Sequence, residues 1–153
     1  MDKLLEISEY LNEESIIDLK SDDKNDAIRE LISVIKRNPN ITNSDLFEKA
    51  IFEREKLMST GIGCELAIPH ARHKSIKDFA IVFGRKKEGL KYESLDDKPV
   101  RFVFMIGASD QQDKEYIKLL SRIALRLKNQ EIKDALLDAE TPADIYRIIK
   151  ETE

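Results

Sequence analysis

Two stretches of nearly unbroken apolar character constrain this chain most: Phe79-Ala80-Ile81-Val82-Phe83, and Val100-Arg101-Phe102-Val103-Phe104-Met105-Ile106 introduced by Pro99. Runs of this length and β-rich composition, without polar alternation, are what strands buried on both faces look like. The material to bury them is present. Ala27, Ile28, Leu31, Ile32 and Ile35 fall at helical spacing before them, and Tyr116, Ile117, Leu120, Ile123, Ala124 and Leu127 after them. Helices before, between and after strands give an α/β or α+β layered domain with the sheet covered on both sides.

The local signals divide the rest. Leu4 to Leu11 carries a weak apolar pattern, suited to a short helix or a docking segment, and Ser15-Ile16-Ile17-Asp18-Leu19 reads as a first strand. Asp22 to Asn25 is a polar turn with several caps for the helix that runs to about Arg37, and Asn38-Pro39-Asn40 ends it. Asn43 or Ser44 caps a second helix with Leu46, Phe47, Ala50, Ile51 and Leu57 as its apolar face. Lys86-Lys87-Glu88-Gly89 reads as a turn, with Arg85-Lys86-Lys87 solvated. Ile132 to Leu137 suggests a short helix, and Thr141-Pro142-Ala143-Asp144 opens a last one over Ile145, Ile148 and Ile149.

At 153 residues the chain reads as one domain, 1–153, with no internal repeat and no linker. A net charge of -4, spread in both signs over a 37% charged sequence, argues against non-specific nucleic-acid binding. No apolar run reaches the length needed to cross a bilayer and no signal-peptide pattern is present, so no membrane insertion is expected. Cys64 is the only cysteine, which fits a reducing cytoplasm, and the presence of only two histidines argues against a multi-histidine metal site.

Chemistry concentrates in Thr60-Gly61-Ile62-Gly63-Cys64-Glu65-Leu66-Ala67-Ile68-Pro69-His70. Gly61 and Gly63 let the backbone turn and leave amides open to a ligand, and Leu66 to Ile68 is a short strand. Pro69 stiffens the lead-in, so His70 is expected just past a strand end. By itself, a histidine after an isolated G-x-G is more often a satisfied loop residue. His73, three positions on, is expected to point away from His70 as a surface loop residue. Cys64, a lone cysteine beside a turn, reads as a small packed residue.

With Glu53-Arg54-Glu55-Lys56 ahead of Ser59-Thr60-Gly61-Ile62-Gly63 and Ala67-Ile68-Pro69-His70, the chain resembles the enzyme IIA domain of the phosphoenolpyruvate-dependent phosphotransferase system (PTS), fructose/mannitol type (type 2). Leu95 to Val100, Leu120-Ser121 with Ala124 and Arg126-Leu127, and Ile145 to Ile149 extend the likeness over nearly the whole chain. Its length and C-terminal run look most like the nitrogen-regulatory enzyme IIA. The resemblance implies an α/β layered sandwich, a mixed β-sheet with helices on both faces. It also implies a phosphoryl relay without metal or organic cofactor. HPr, or its nitrogen-branch paralogue, would phosphorylate His70, and Arg54 would hold the phosphoryl group; Thr60, Gly61 and Gly63 would line the site. An enzyme IIB or a regulated protein would lie downstream. Phosphoryl transfer rewards positioning and nearby donors, and imidazole, with an unperturbed pKa of roughly 6.5, is nucleophilic near neutrality.

This sequence departs from that family in two places. Many members carry a second histidine where Tyr116 stands; tyrosine donates a hydrogen bond but carries no positive charge at neutral pH. Cys64-Glu65 replaces a common Asn-Gly-like pair, and Glu65 either opposes a phosphoryl group or points to solvent. Three functions follow: a regulatory phosphocarrier, a sugar-transport enzyme IIA, or a binding-only pseudo-carrier. Arg54 has a plain alternative as a solvated helix residue, and Tyr116 as ordinary helix packing.

Overall fold

The computed structural model describes residues 6–153; Leu4 and Leu5 of the first apolar pattern lie outside the described residues. The rest of that pattern forms a 3-10 helix, Ile7–Tyr10, with Ile7 buried. Strands β1 (Ile16–Asp18), β2 (Gly61–Gly63), β3 (Leu66–Ala67), β4 (His70–Arg72), β5 (Ala80–Leu90) and β6 (Val100–Ala108) make one sheet. Helices α1 (Lys24–Ile35) and α2 (Ser44–Leu57) precede the central strands, while α3 (Asp113–Arg126), α4 (Gln130–Asp138) and α5 (Pro142–Glu151) follow them.

The two apolar runs are the centre of the sheet, whose order is β1-β5-β6-β3-β2 with β4 also on β6. β5 and β6 are antiparallel, Phe83 opposite Phe104, while β1 joins β5, and β3 and β4 join β6, in parallel. The sheet is therefore mixed. Phe83, Phe102, Phe104 and Ile106 point to one side, where Leu119, Ile123, Leu136 and Ile145 of α3, α4 and α5 meet them. Val82, Val103 and Met105 point to the other, against Ile28, Leu31 and Ile35 of α1 and Phe47 and Ile51 of α2. Each such fully buried side chain contributes about 1.5–3 kcal/mol. This is an α/β layered sandwich with helices on both faces.

Capping follows the sequence. Asp23, Asn43 and Thr141 accept from the amides of Asp26, Leu46 and Asp144 at 3.1 Å each, which satisfies orphan donors at the starts of α1, α2 and α5.

Three expectations are corrected. Leu46, Leu57 and Ile117 match helical spacing but are 41%, 83% and 63% exposed, because the buried stripe of each helix is narrower than its apolar composition. The 86–89 segment is not a turn: β5 runs through it to Leu90, with a register shift that Gly89 accommodates at φ +91°. Nor are Arg85 and Lys86 solvated. Arg85 is 2% exposed, gripping Asp18 at 2.7 and 3.1 Å and donating to the carbonyls of Leu136 and Ala139 at the end of α4. Lys86 reaches the Lys20 carbonyl and the Asp22 carboxylate.

Candidate functional site

β2 and β3 form a hairpin beside β6, and the tight turn falls on Cys64 and Glu65, both left-handed at φ 55° and 66°. Such a pair matches the twist of a two-residue hairpin. The glycines thus do something other than make the turn alone. Gly63 sits at the register shift with φ +97°, whereas Gly61 is needed for clearance: a Cβ there would lie 2.1 Å from the Glu93 carbonyl oxygen. Glu65 is turned to Arg101 at 3.2 Å and Lys133 at 3.6 Å, so it neither faces the site as a free charge nor points to solvent. The Cys64 amide donates to Asp96 at 3.0 Å.

After Leu66 and Ala67 pair with β6, Pro69 leaves the ladder one donor short. Its carbonyl still accepts from the Ile106 amide at 3.0 Å, so the chain stays on the same edge. His70 therefore opens β4, opposite Ile106, rather than merely following a strand. Its Nδ1 lies 2.6 Å from the Ile68 carbonyl oxygen. A carbonyl only accepts, so Nδ1 carries the proton and Nε2 holds the lone pair. Burial pulls the half-buried imidazole's pKa below its ordinary value, and Arg54 adds to this, while the Ile68 carbonyl and Glu55 oppose it. The neutral, nucleophilic ring is the form favoured at neutral pH.

His70 and Arg54 line a common cavity of about 330 Å³ with Thr60, Gly61, Ile62, Leu120 and other residues. Arg54 comes from the last turn of α2 and is tied by one hydrogen bond, Nη1 to the Met58 carbonyl at 2.7 Å. The rim is apolar, with Met58 and Leu95 exposed. Tyr116, in the first turn of α3, stands edge-on to His70 with ring centroids 5.4 Å apart. Behind it the Arg72 guanidinium lies 5.4 Å from the phenol ring and pairs with Asp113. Burial raises the Tyr116 pKa against the opposing pull of Arg72 and Arg54, so it stays a neutral phenol.

The sequence-picked residues thus divide. His70, Arg54, Thr60 and Gly61 share the cavity and Tyr116 touches His70, whereas Gly63 lies at the hairpin, outside the lining. The Thr60 hydroxyl is committed to Glu55 and lies 2.7 Å from the Tyr92 hydroxyl, which donates to the same carboxylate. His73 is bonded through Nδ1 to the side chain and amide of Ser75 and is not part of the lining. No local sequence signal marks Glu55 or Tyr92 as site residues; Glu55 sits in the Arg54-Glu55-Lys56 segment, but only its neighbours in space give it a role. Among the described residues no cluster of three His, Cys, Asp or Glu side chains could hold a metal ion, and no helix is long and apolar enough to cross a membrane.

The family model for the phosphoenolpyruvate-dependent sugar phosphotransferase system, EIIA 2, matches residues 9–152. The PTS system fructose-specific EIIABC component of Bacillus subtilis is 37% identical over 148 residues, covering 96% of this chain; the chain spans only 23% of that protein's length. The nitrogen regulatory protein of Escherichia coli is 31% identical over 156 residues, covering 99% of this chain and 94% of that protein. Among solved structures, nitrogen regulatory protein IIA-Ntr from Neisseria meningitidis superposes with a TM-score of 0.87 at 27% identity, over 94% of this chain and 98% of that one.

Proposed function

Because the chain belongs to the EIIA 2 family of the phosphoenolpyruvate-dependent sugar phosphotransferase system, we propose that it is a phosphocarrier whose His70 accepts a phosphoryl group from HPr or its nitrogen-branch paralogue. The phosphorylated state then governs binding to regulated protein partners. One observation carries this reading: Nδ1 of His70 is held on the Ile68 carbonyl, which leaves Nε2 free on a ring that shares a cavity with Arg54. In the transfer, the donor's P–N bond breaks as a P–Nε2 bond forms. The Arg54 guanidinium meets the equatorial oxygens, where charge is spread in a loose transition state. Tyr116, a neutral phenol whose ring stands edge-on to the imidazole, adds no charge beside the phosphoryl group. Likeness over nearly the full length of both this chain and the E. coli nitrogen regulatory protein supports the regulatory branch.

A second reading is favoured by the 37% identity to the fructose-specific protein of B. subtilis: a sugar-transport enzyme IIA that passes the group to a fructose/mannitol-type enzyme IIB. Intact mass after mixing with phosphoenolpyruvate, enzyme I and the cognate HPr tests the shared step. One acid-labile phosphoryl group gained by the wild type and not by His70→Ala is expected. No gain in folded wild-type protein, or gain by the alanine variant, overturns it. Rapid discharge onto a purified enzyme IIB would move the assignment to the sugar relay.

A further inference from the structure

We propose that Glu55 is the positioning residue of the acceptor site: its carboxylate clamps the last turn of α2 to Thr60 and Tyr92, and so fixes Arg54 and the Thr60–Gly61 segment relative to His70. The inference rests on the proposed function for what is being positioned, but the clamp itself is visible in the contacts. The Glu55 side chain is 5% exposed, and four groups from three other parts of the chain converge on it. The Thr60 amide donates at 3.2 Å, and the Thr60 hydroxyl is hydrogen bonded to it. The Tyr92 hydroxyl donates at 2.8 Å, and Lys24 Nζ of α1 lies 3.0 Å away.

Glu55 is the residue in the last turn of α2 whose side chain ties that turn to other parts of the chain. Met58, which follows the helix, is extended, and among the described residues Arg54 itself bonds to the nearby Met58 carbonyl alone. The lead into β2 is tied to the 93–95 segment and to Ile68 by other bonds, and to the end of α2 by the Thr60 amide and hydroxyl on Glu55. Glu55 thus joins the helix that carries Arg54 to the strand that walls the cavity, and Thr60 serves the site through it.

The clamp needs a charged carboxylate. Burial disfavours the Lys24 ammonium, yet hydrogen bonds to Glu55 and Glu93 outweigh that and hold its pKa above the ordinary lysine value. Lys24 also lies 4.5 Å from the centre of the Tyr92 ring. Burial, with Glu55 next to it, raises the Tyr92 pKa, so the phenol keeps its proton and donates. The same negative charge reaches the imidazole. The groups facing His70 are Arg54 and Glu55 from α2 and Tyr116 from α3, with Arg72 of β4 paired to Asp113 behind the tyrosine ring. Of these, Glu55 is the one whose charge offsets Arg54 at the imidazole.

Glu55→Gln keeps the shape, removes the charge and sets an amide against donors. The expected result is a rate of phosphorylation by phospho-HPr lowered about tenfold, with the KM for that donor within about twofold of wild type. The His70 titration midpoint, followed by NMR on unphosphorylated protein, moves down. Tyr92→Phe removes one donor and leaves the carboxylate with Lys24 and Thr60, so it lowers the rate less and leaves the His70 midpoint in place; it also serves if the glutamine variant does not fold. Wild-type rate in Glu55→Gln, a loss confined to KM, or a larger effect in Tyr92→Phe than in Glu55→Gln overturns the proposal. The titration needs no phosphoryl donor. An unmoved His70 midpoint in folded Glu55→Gln therefore refutes the clamp even if no protein is phosphorylated, whereas wild-type protein that cannot be phosphorylated refutes the function alone.

Discussion

Gly61→Ala is the substitution that most directly couples packing to the site. The added Cβ would sit 2.1 Å from the Glu93 carbonyl oxygen, 3.0 Å from its carbonyl carbon and 3.1 Å from Cα of Ser94, all backbone atoms that no rotamer change can move. Restoring an ordinary contact of at least 3.4 Å forces β2 and the 93–95 segment apart, by about 1 Å or more, a misplacement that costs on the order of a hundredfold in rate at a transfer site. The same separation strains the Leu95 amide to Gly61 carbonyl bond and the Ser59 hydroxyl to Glu93 carbonyl bond. Overpacking costs about 1–3 kcal/mol and each of the two weakened bonds about 0.5–1.5 kcal/mol, so about 2–6 kcal/mol in all is expected. In a chain of this size that is a fall in Tm of roughly 4–24 °C. Gly63→Ala is the internal control. Its Cβ meets only the Asp96 carboxyl at 3.5 Å, so the penalty is the left-handed φ of +97° alone, about 1–2 kcal/mol. Thermal melts and single-turnover phosphorylation of both variants measure the difference. A Gly61→Ala protein that is as stable and as fast as Gly63→Ala would refute the reasoning.

Three further outcomes follow from the same contacts. Arg54→Gln should slow phosphorylation of His70 about a hundredfold, in line with loss of a charge-stabilising donor, and leave the melt within about 1 kcal/mol because only one exposed bond to Met58 is lost; equal losses of rate and stability would contradict this. The rate should also hold as pH falls past roughly 6.5 and decline only at lower pH, since burial keeps His70 neutral below its ordinary titration range; an NMR midpoint at or above that value would reverse the sign. Arg85→Met should destabilise the fold by about 3–5 kcal/mol, through the stranded Leu136 and Ala139 carbonyls. It should also raise the Asp18 pKa toward its ordinary value, because the Arg85 hydrogen bond is what chiefly lowers it; chemical denaturation and a carboxylate titration check the two effects.

Much of this architecture is legible in the sequence because it depends on local rules. The helix starts at Asp23, Asn43 and Thr141 are written in residues whose side chains reach an amide three positions on. The central strands are written in apolar runs too short for helices and buried on both sides. What stays hidden is set by distant partners. Arg85 and Lys86 look solvated until Asp18, the end of α4 and the Lys20 carbonyl are brought to them. Gly61 looks like a turn residue, while its real constraint is a backbone 32 residues further on in the chain. His70 and Arg54 are legible through their motif. Glu55 shares that motif, yet the contacts that define it come from Lys24, Thr60 and Tyr92, which no spacing rule connects.

The charge arrangement around His70 bears on how phosphorylation would be read by a partner. Before transfer, the one cation lining the cavity among the described residues is Arg54, since Arg72 is held by Asp113 behind Tyr116 and Lys24 is held by Glu55 and Glu93. The surrounding rim is apolar and exposed at Met58, Ile62 and Leu95. A phosphoryl group brings about two negative charges. Arg54 offsets one of them, and a neutral Tyr116 offsets none. Under the proposed function the phosphorylated face therefore keeps a net negative charge within an apolar surface, where covering it with another apolar surface incurs a desolvation penalty. A partner that packs on the unmodified rim is repelled by that change, while one that presents a cation gains from it. A histidine at position 116 would carry a second positive charge whenever protonated and weaken the contrast. Under the proposed function Tyr116 would thus sharpen the difference between the two states of His70, in the direction a protein-binding switch requires.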